Sequence, residues 1–147
     1  MWISRRTDYA TRALLALSLA EGDASLSSIE LARRTAVPQS VLEQLLPVLR
    51  TAGLVRSERG AHGGYRLNRA PEEITLERVV RLFQGPLAPI GCATRRNPEP
   101  CPMTLGCSLR FVWEEVRDAT IRILSETTFA DLRERAAGRW LEPEHAA

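Results

Sequence analysis

Lysine is missing from this sequence of 147 residues; all twenty basic positions are arginine, a bias that decides nothing about function by itself. Histidine is almost as scarce, with two residues. No glycine-rich nucleotide loop and no Ser/His/Asp grouping accompanies them, so the chain lacks the usual equipment of an enzyme acting on a small-molecule substrate. Long apolar runs are absent as well: none approaches the ~18 residues that a membrane-spanning helix needs. The opening Met-Trp-Ile-Ser-Arg-Arg has no apolar stretch of the kind a secretion signal carries, which predicts a cytoplasmic protein without membrane contact. Cysteine is limited to three residues, Cys92, Cys101 and Cys107. An odd count in a reducing compartment argues against a disulfide framework and for a metal or redox site.

What is present suits one ordinary globular core, with 44% hydrophobic and 26% charged residues. The net charge of +2 hides an asymmetry. Residues 1–69 hold ten Arg against six acids, a net of +4, whereas residues 70–147 hold ten Arg against twelve acids, a net of −2. The front half suits a polyanion and the back half does not.

Apolar periodicity divides the chain further. Ala10, Ala13, Leu14 and Leu17 recur at helical spacing, predicting a helix from about Thr7 to Ala20. Ser27 with Glu30 has the form of a capping box opening a short second helix to about Arg34. Leu42, Leu45, Leu46 and Leu49 line one face of a third helix that Gly53 stops. Two short strands follow, Leu54–Ser57 and Gly64–Leu67, around the glycine-rich turn Glu-Arg-Gly-Ala-His-Gly. Ile74 to Phe83, capped by Thr75, predicts a fourth helix. Residues 85–106 carry five prolines and three glycines and form an irregular loop. Ser108 then opens a long helix with Leu109, Val112, Trp113, Val116, Thr120 and Ile123 on one stripe, and Thr128 to Ala137 forms a short last helix.

The predicted fold is therefore mainly α: a winged helix–turn–helix with a two-stranded wing, followed by a long C-terminal dimerisation helix. Its expected parts are a DNA-binding domain over 1–84, a cysteine-bearing loop over 85–107, the dimerisation and last helices over 108–137, and a flexible tail over 138–147. A lone long amphipathic helix after a small domain is expected to pair with a second copy in a homodimer.

On the third helix Ser40, Gln44, Pro47 and Thr51 lie opposite the leucines, flanked by Glu43 and Arg50. Ser, Gln and Glu near a helix N-terminus offer the donors and acceptors that base edges require. Arg59 stands at the tip of the wing, where a guanidinium can enter a narrow minor groove or grip phosphate. His62 beside it either bonds phosphate or fills the turn, and Arg56 and Arg66 are expected to touch phosphate. An ordinary solvated helix face is the bland alternative, and the basic hairpin beside it shifts the balance toward duplex DNA. Cys92, Cys101 and Cys107 are spaced C-x8-C-x5-C, which lacks the close pair of a zinc knuckle and suits an iron–sulfur cluster wrapped by an irregular loop. Leftover thiols, a cluster-free switch in which Cys101 and Cys107 form a disulfide, a small iron–sulfur redox protein and a protein-binding adaptor remain as alternatives.

Three stretches together resemble the IscR/NsrR/RirA (Rrf-type) family of bacterial regulators: Leu42-Glu43-Gln44-Leu45-Leu46, Leu49-Arg50-Thr51-Ala52-Gly53-Leu54-Val55, and Arg59-Gly60-Ala61-His62-Gly63-Gly64-Tyr65-Arg66-Leu67. The opening Thr7-Asp8-Tyr9-Ala10, Ile74-Thr75-Leu76 and the cysteines before the long helix are similar too, so the resemblance covers residues 1 to about 135. It implies a homodimeric winged-helix regulator of an operator, with Ser40, Glu43 and Gln44 as base readers. It also implies a cluster sensing redox state, nitric oxide or iron. One branch places a histidine three residues after the last cysteine; here that position is Arg110, which cannot ligate iron. Another uses an aspartate near the start of the first helix, contributed by the other subunit, and Asp8 stands at the matching position. The resemblance thus favours 4Fe–4S over 2Fe–2S, with Asp8 as fourth ligand. Otherwise Asp8 is a helix-dipole partner, and His62 and His145 are fallback ligands.

Overall fold

A computed structural model describes residues 3–20, 22, 24–103 and 105–136. The expected tail, with His145, lies outside the described residues. Six α-helices and one two-stranded antiparallel sheet make up the described chain: α1 (Arg5–Ser18), α2 (Ser28–Thr35), α3 (Gln39–Thr51), β1 (Val55–Glu58), β2 (Gly64–Leu67), α4 (Leu76–Gln84), α5 (Leu109–Glu126) and α6 (Phe129–Ala136). This is the mainly helical, winged architecture expected from the periodicity.

Local chemistry sets most boundaries. Helix α1 begins two residues earlier than its apolar pattern, because the Ser4 hydroxyl accepts the Thr7 amide and caps it. The Ser4 amide in turn donates to Gln84 at the end of α4, joining the two helices. Ser27 caps α2 through the Glu30 amide, but the expected capping box is not completed by Glu30. Its carboxylate turns forward to Arg33 and Arg34 and is held at about pKa 2, mainly by the Arg33 hydrogen bond and then by Arg34. Helix α3 ends in a Schellman motif: Gly53, at φ 71°, donates to Arg50 and Leu54 donates back to Leu49. Leu54 therefore belongs to the helix stop, and β1 starts one residue later than its sequence pattern. Pro47 sits inside α3 on the exposed side, and the helix continues past it.

The sheet pairs Val55 with Leu67 through to Glu58 with Gly64. A further bridge from Leu26 to Tyr65 ties the wing to the chain entering α2, with reciprocal bonds of 2.8 and 2.9 Å. Leucines of α3 and Leu14, Leu31, Leu54, Ile74 and Val79 form one buried core. Phe129 belongs to the same core, so α6 folds back against α1. Its entry is fixed by backbone bonds from Leu76 to Thr127 and from Phe129 to Ile74. Thr128 and Asp131 exchange capping bonds at the start of α6, which lower the Asp131 pKa.

Helix α5 differs from the rest: none of its side chains is fully buried. Leu109, Val112, Val116 and Ile123 are 42 to 58% exposed, and Phe111 is 71% exposed. Its apolar stripe is present as expected, and among the described residues it stays about half exposed.

Candidate nucleic-acid interface and cysteine loop

Helices α2 and α3 are joined by Ala36, in the left-handed region at φ 54°, and by the buried Val37. The Thr35 hydroxyl stabilises this turn, donating to Leu31 and accepting from the Val37 amide. With four leucines of α3 buried, Ser40, Glu43, Gln44 and Arg50 are all exposed on its outer side. Pro38 precedes the helix and supplies no side-chain cap, so the first-turn amides of α3 receive none. Gln39, which the sequence pattern did not single out, joins the same surface. Its amide donates to Glu43 at 2.8 Å and to the Ser28 hydroxyl of α2 at 3.4 Å. The i, i+4 spacing of Gln39 and Glu43 was the available signal.

The turn of the wing is tied by hydrogen bonds within itself and to the chain before α2. The Ser25 hydroxyl donates to the His62 carbonyl at 2.7 Å, and the Gly63 amide to the Gly60 carbonyl at 3.0 Å. A Cβ on Gly63 would lie 2.6 Å from the Glu58 carbonyl, and one on Gly64 would collide with the Leu26 backbone. The paired glycines are therefore required by close packing. Arg59 and the His62 side chain are exposed at the tip, and Arg59 has no ion-pair partner among the described residues. Arg66 and Arg56 behave otherwise. Arg66 Nε lies 2.7 Å from Glu58 and Arg56 Nε 3.9 Å from the same carboxylate, so their charge is partly answered within the wing.

The cysteine loop is anchored at one end. Cys92 lies in a short 3-10 turn, Gly91–Ala93, whose Ala93 carbonyl accepts a 2.6 Å bond from Arg117 of α5. The Gly91 carbonyl accepts from the amides of Thr94 and Glu99. Cys101 and Cys107 follow in irregular chain; all three cysteines are half-buried and none is in a disulfide. Arg110, three residues after Cys107, bonds Glu114 at 2.8 Å, and this pairing raises its pKa, with a smaller contribution from Cys92. Asp8 pairs with Arg12 at 2.8 Å on α1, which gives its charge a local partner. Soft thiolates fit an iron–sulfur cluster by donor type. Among the described residues, however, no three His, Cys, Asp or Glu side chains converge on a point that could hold a metal ion.

Comparison with known proteins places this geometry. Residues 3–135 match the family model Rrf2, described as an iron-dependent transcriptional regulator. Protein rrf2 of Nitratidesulfovibrio vulgaris is 36% identical over 137 residues, 93% of this chain and 90% of that protein. The structure of CymR, the global cysteine regulator of B. subtilis, superposes with a TM-score of 0.78 at 31% identity, covering 92% of this chain and 98% of that one. IscR of T. potens superposes at 0.73 and 31% identity, covering 92% and 88%. The helix–turn–helix, its glycine-braced wing and the long following helix are thus those of a transcriptional regulator, and the chain belongs to the Rrf2 family.

Proposed function

We propose that this chain is a cytoplasmic, homodimeric, sequence-specific DNA-binding regulator whose affinity for its operator is set by an iron–sulfur cluster. Residues 1–84 bind DNA, 85–107 carry the sensing cysteines and 108–137 make the dimer contact. Ser40, Glu43 and Gln44 face base edges in the major groove, with Glu43 accepting from a cytosine amino group and Gln44 pairing with adenine. Arg50 and His62 contact phosphate, and Arg59 enters the adjacent minor groove. The observation that carries this reading is the exposed polar side of α3 standing beside a braced wing whose Arg59 has no ion pair among the described residues.

Cys92, Cys101 and Cys107 would hold the cluster, with Asp8 of the other subunit as candidate fourth ligand. A bound cluster supplies a centre sensitive to oxidation, nitrosylation and iron loss. The thiols are not gathered in advance, so metal binding would order this loop. The Arg117 bond to Ala93 links the loop to α5, the rod that spaces two recognition helices, and operator half-sites are read at fixed spacing.

A second reading is a cluster-free switch, supported by the lack of a ready-made metal-ligand group among the described residues and by likeness to CymR, the global cysteine regulator of B. subtilis. Here Cys101 and Cys107 lose two protons and two electrons to hydrogen peroxide, forming one S–S bond and two waters. One experiment separates the readings. Protein purified without oxygen and reconstituted with iron and sulfide is compared with apo protein by absorption spectrum, iron content and gel shift on DNA enriched from a random pool. The cluster reading expects a coloured, iron-loaded protein whose DNA affinity differs from the apo form. Colourless, iron-free protein overturns it, and a peroxide-dependent Cys101–Cys107 disulfide that shifts the same DNA supports the second.

A further inference from the structure

Between α4, the start of the cysteine loop and α5 lies a cavity of about 560 Å³. That volume falls in the range of small-molecule sites. Four arginines line it: Arg81 from α4, Arg95 and Arg96 from the loop, and Arg117 from α5. Four cations in one concavity repel each other unless anions answer them. Arg81 is answered by Glu77 at 2.7 Å. Arg95 and Arg117 share one carboxylate, that of Asp118, at 2.9 and 2.7 Å. Arg96 has no ion-pair partner among the described residues. Among the described residues these four cations pair directly with two carboxylates, an excess of two.

The remaining wall is apolar, formed by Pro86, Leu87 and Ile121. Arg117 is the deepest of the cations, its side chain 11% exposed, and its bond to the Ala93 carbonyl fixes its position before any ligand arrives. Preset guanidinium groups recognise planar or tetrahedral oxyanions with paired hydrogen bonds at little ordering cost. Dimer formation through α5 leaves this pocket on another side of the helix. At ~100° per residue, Arg117 and Ile121 lie roughly 120° and 160° around the axis from the centre of the stripe of Val112, Val116 and Ile123.

We infer that this cavity binds a small organic dianion, a phosphomonoester or dicarboxylate with a short apolar body, as an effector of the regulator. Its two charges match the excess of two, and its apolar part packs on Leu87 and Ile121. The ligand bridges the DNA-binding unit, through Arg81, to the dimerisation helix, through Arg117, and touches the sensing loop at Arg95 and Arg96. Its occupancy changes the angle between α4 and α5 and hence DNA affinity. That last consequence rests on the DNA-binding reading; binding of the anion does not.

The test is calorimetric titration of the full chain, without DNA, in phosphate-free buffer at low ionic strength. The probes are phenyl phosphate, glutarate and uncharged benzyl alcohol. Saturable binding of one site per chain is expected for at least one dianion, with phosphate or carboxylate preference set by which arm is tighter, and none for benzyl alcohol. Arg96→Ser removes an exposed side chain with no ion pair among the described residues, so the fold should survive and the affinity should fall about tenfold or more, the loss of one charged hydrogen bond. Melting temperature checks that fold independently. Absence of saturation by both dianions up to about 10 mM, or equal binding by Arg96→Ser, overturns the inference. A bound dianion that leaves DNA affinity unchanged retains the site and overturns its role as effector.

Discussion

Gly64 has no room for a side chain, because a Cβ there would strike the Leu26 backbone where the wing bridges to the entry of α2. Gly64→Ala is expected to destabilise the protein by about 1–3 kcal/mol, the usual cost of forcing atoms into a packed site. Thermal denaturation measures it, and an unchanged melting temperature would show that the bridge gives way freely. The glycine pair was visible in the sequence as a turn signal, but its partner was not. Leu26 is 38 residues away, and nothing in local spacing announces a long-range bridge. Side-chain pairings were legible only where they were local. The Ser27 cap was foreseen, whereas Glu30 had two arginines within one helical turn competing for it and chose them over the capping box. Arg56 and Arg66, expected at phosphate, share the Glu58 carboxylate within the wing, a pairing that no local spacing announced.

Among the elements, α5 carries the clearest unmet need. Its stripe of Leu109, Val112, Val116 and Ile123 is about half exposed in one chain, while every other long helix buries its apolar side. A contiguous exposed apolar surface marks an interface, and the proposed occupant is the same helix of a second copy. Val112→Asp combined with Val116→Asp would bury two unpaired carboxylates in that contact. Sedimentation analysis at micromolar concentration should then find a monomer with intact helical content where the parent is a dimer. A parent that is itself monomeric, or a variant that remains dimeric, would place the contact elsewhere. Helices α3 and α5 were readable because their apolar residues keep helical period over many turns. Helix α6 was readable as a helix, but its destination was not. The bonds that return it to α1 join residues 74–76 to 127–129, and only the folded chain brings them together. The cysteine loop was legible by composition alone, since prolines and glycines say where regular structure stops and nothing about where thiols point.

At the scale of the whole molecule, charge and shape coincide. The net-positive first half contains α3 and the wing, and the net-negative second half contains the rod. Phosphate attraction therefore concentrates where the recognition surface lies, and it is expected to weaken as salt screens it. Arg78 of α4 bonds the Ala52 carbonyl at the end of α3, so the recognition helix is fixed to the unit that meets α5. In the proposed dimer, movement of the rod would reorient both α3 helices together, the route by which a signal in the loop would reach DNA. The central claim, that α3 and the wing grip duplex DNA, is tested most directly by fluorescence anisotropy on a selected operator fragment. The parent is compared with Arg59→Ala at physiological salt, with melting temperature as a control for folding. Loss of affinity of about tenfold or more, with the fold intact, is the predicted result, the value of one charged contact to DNA. Equal affinity of the two proteins, or no binding by the parent at low salt, would contradict it.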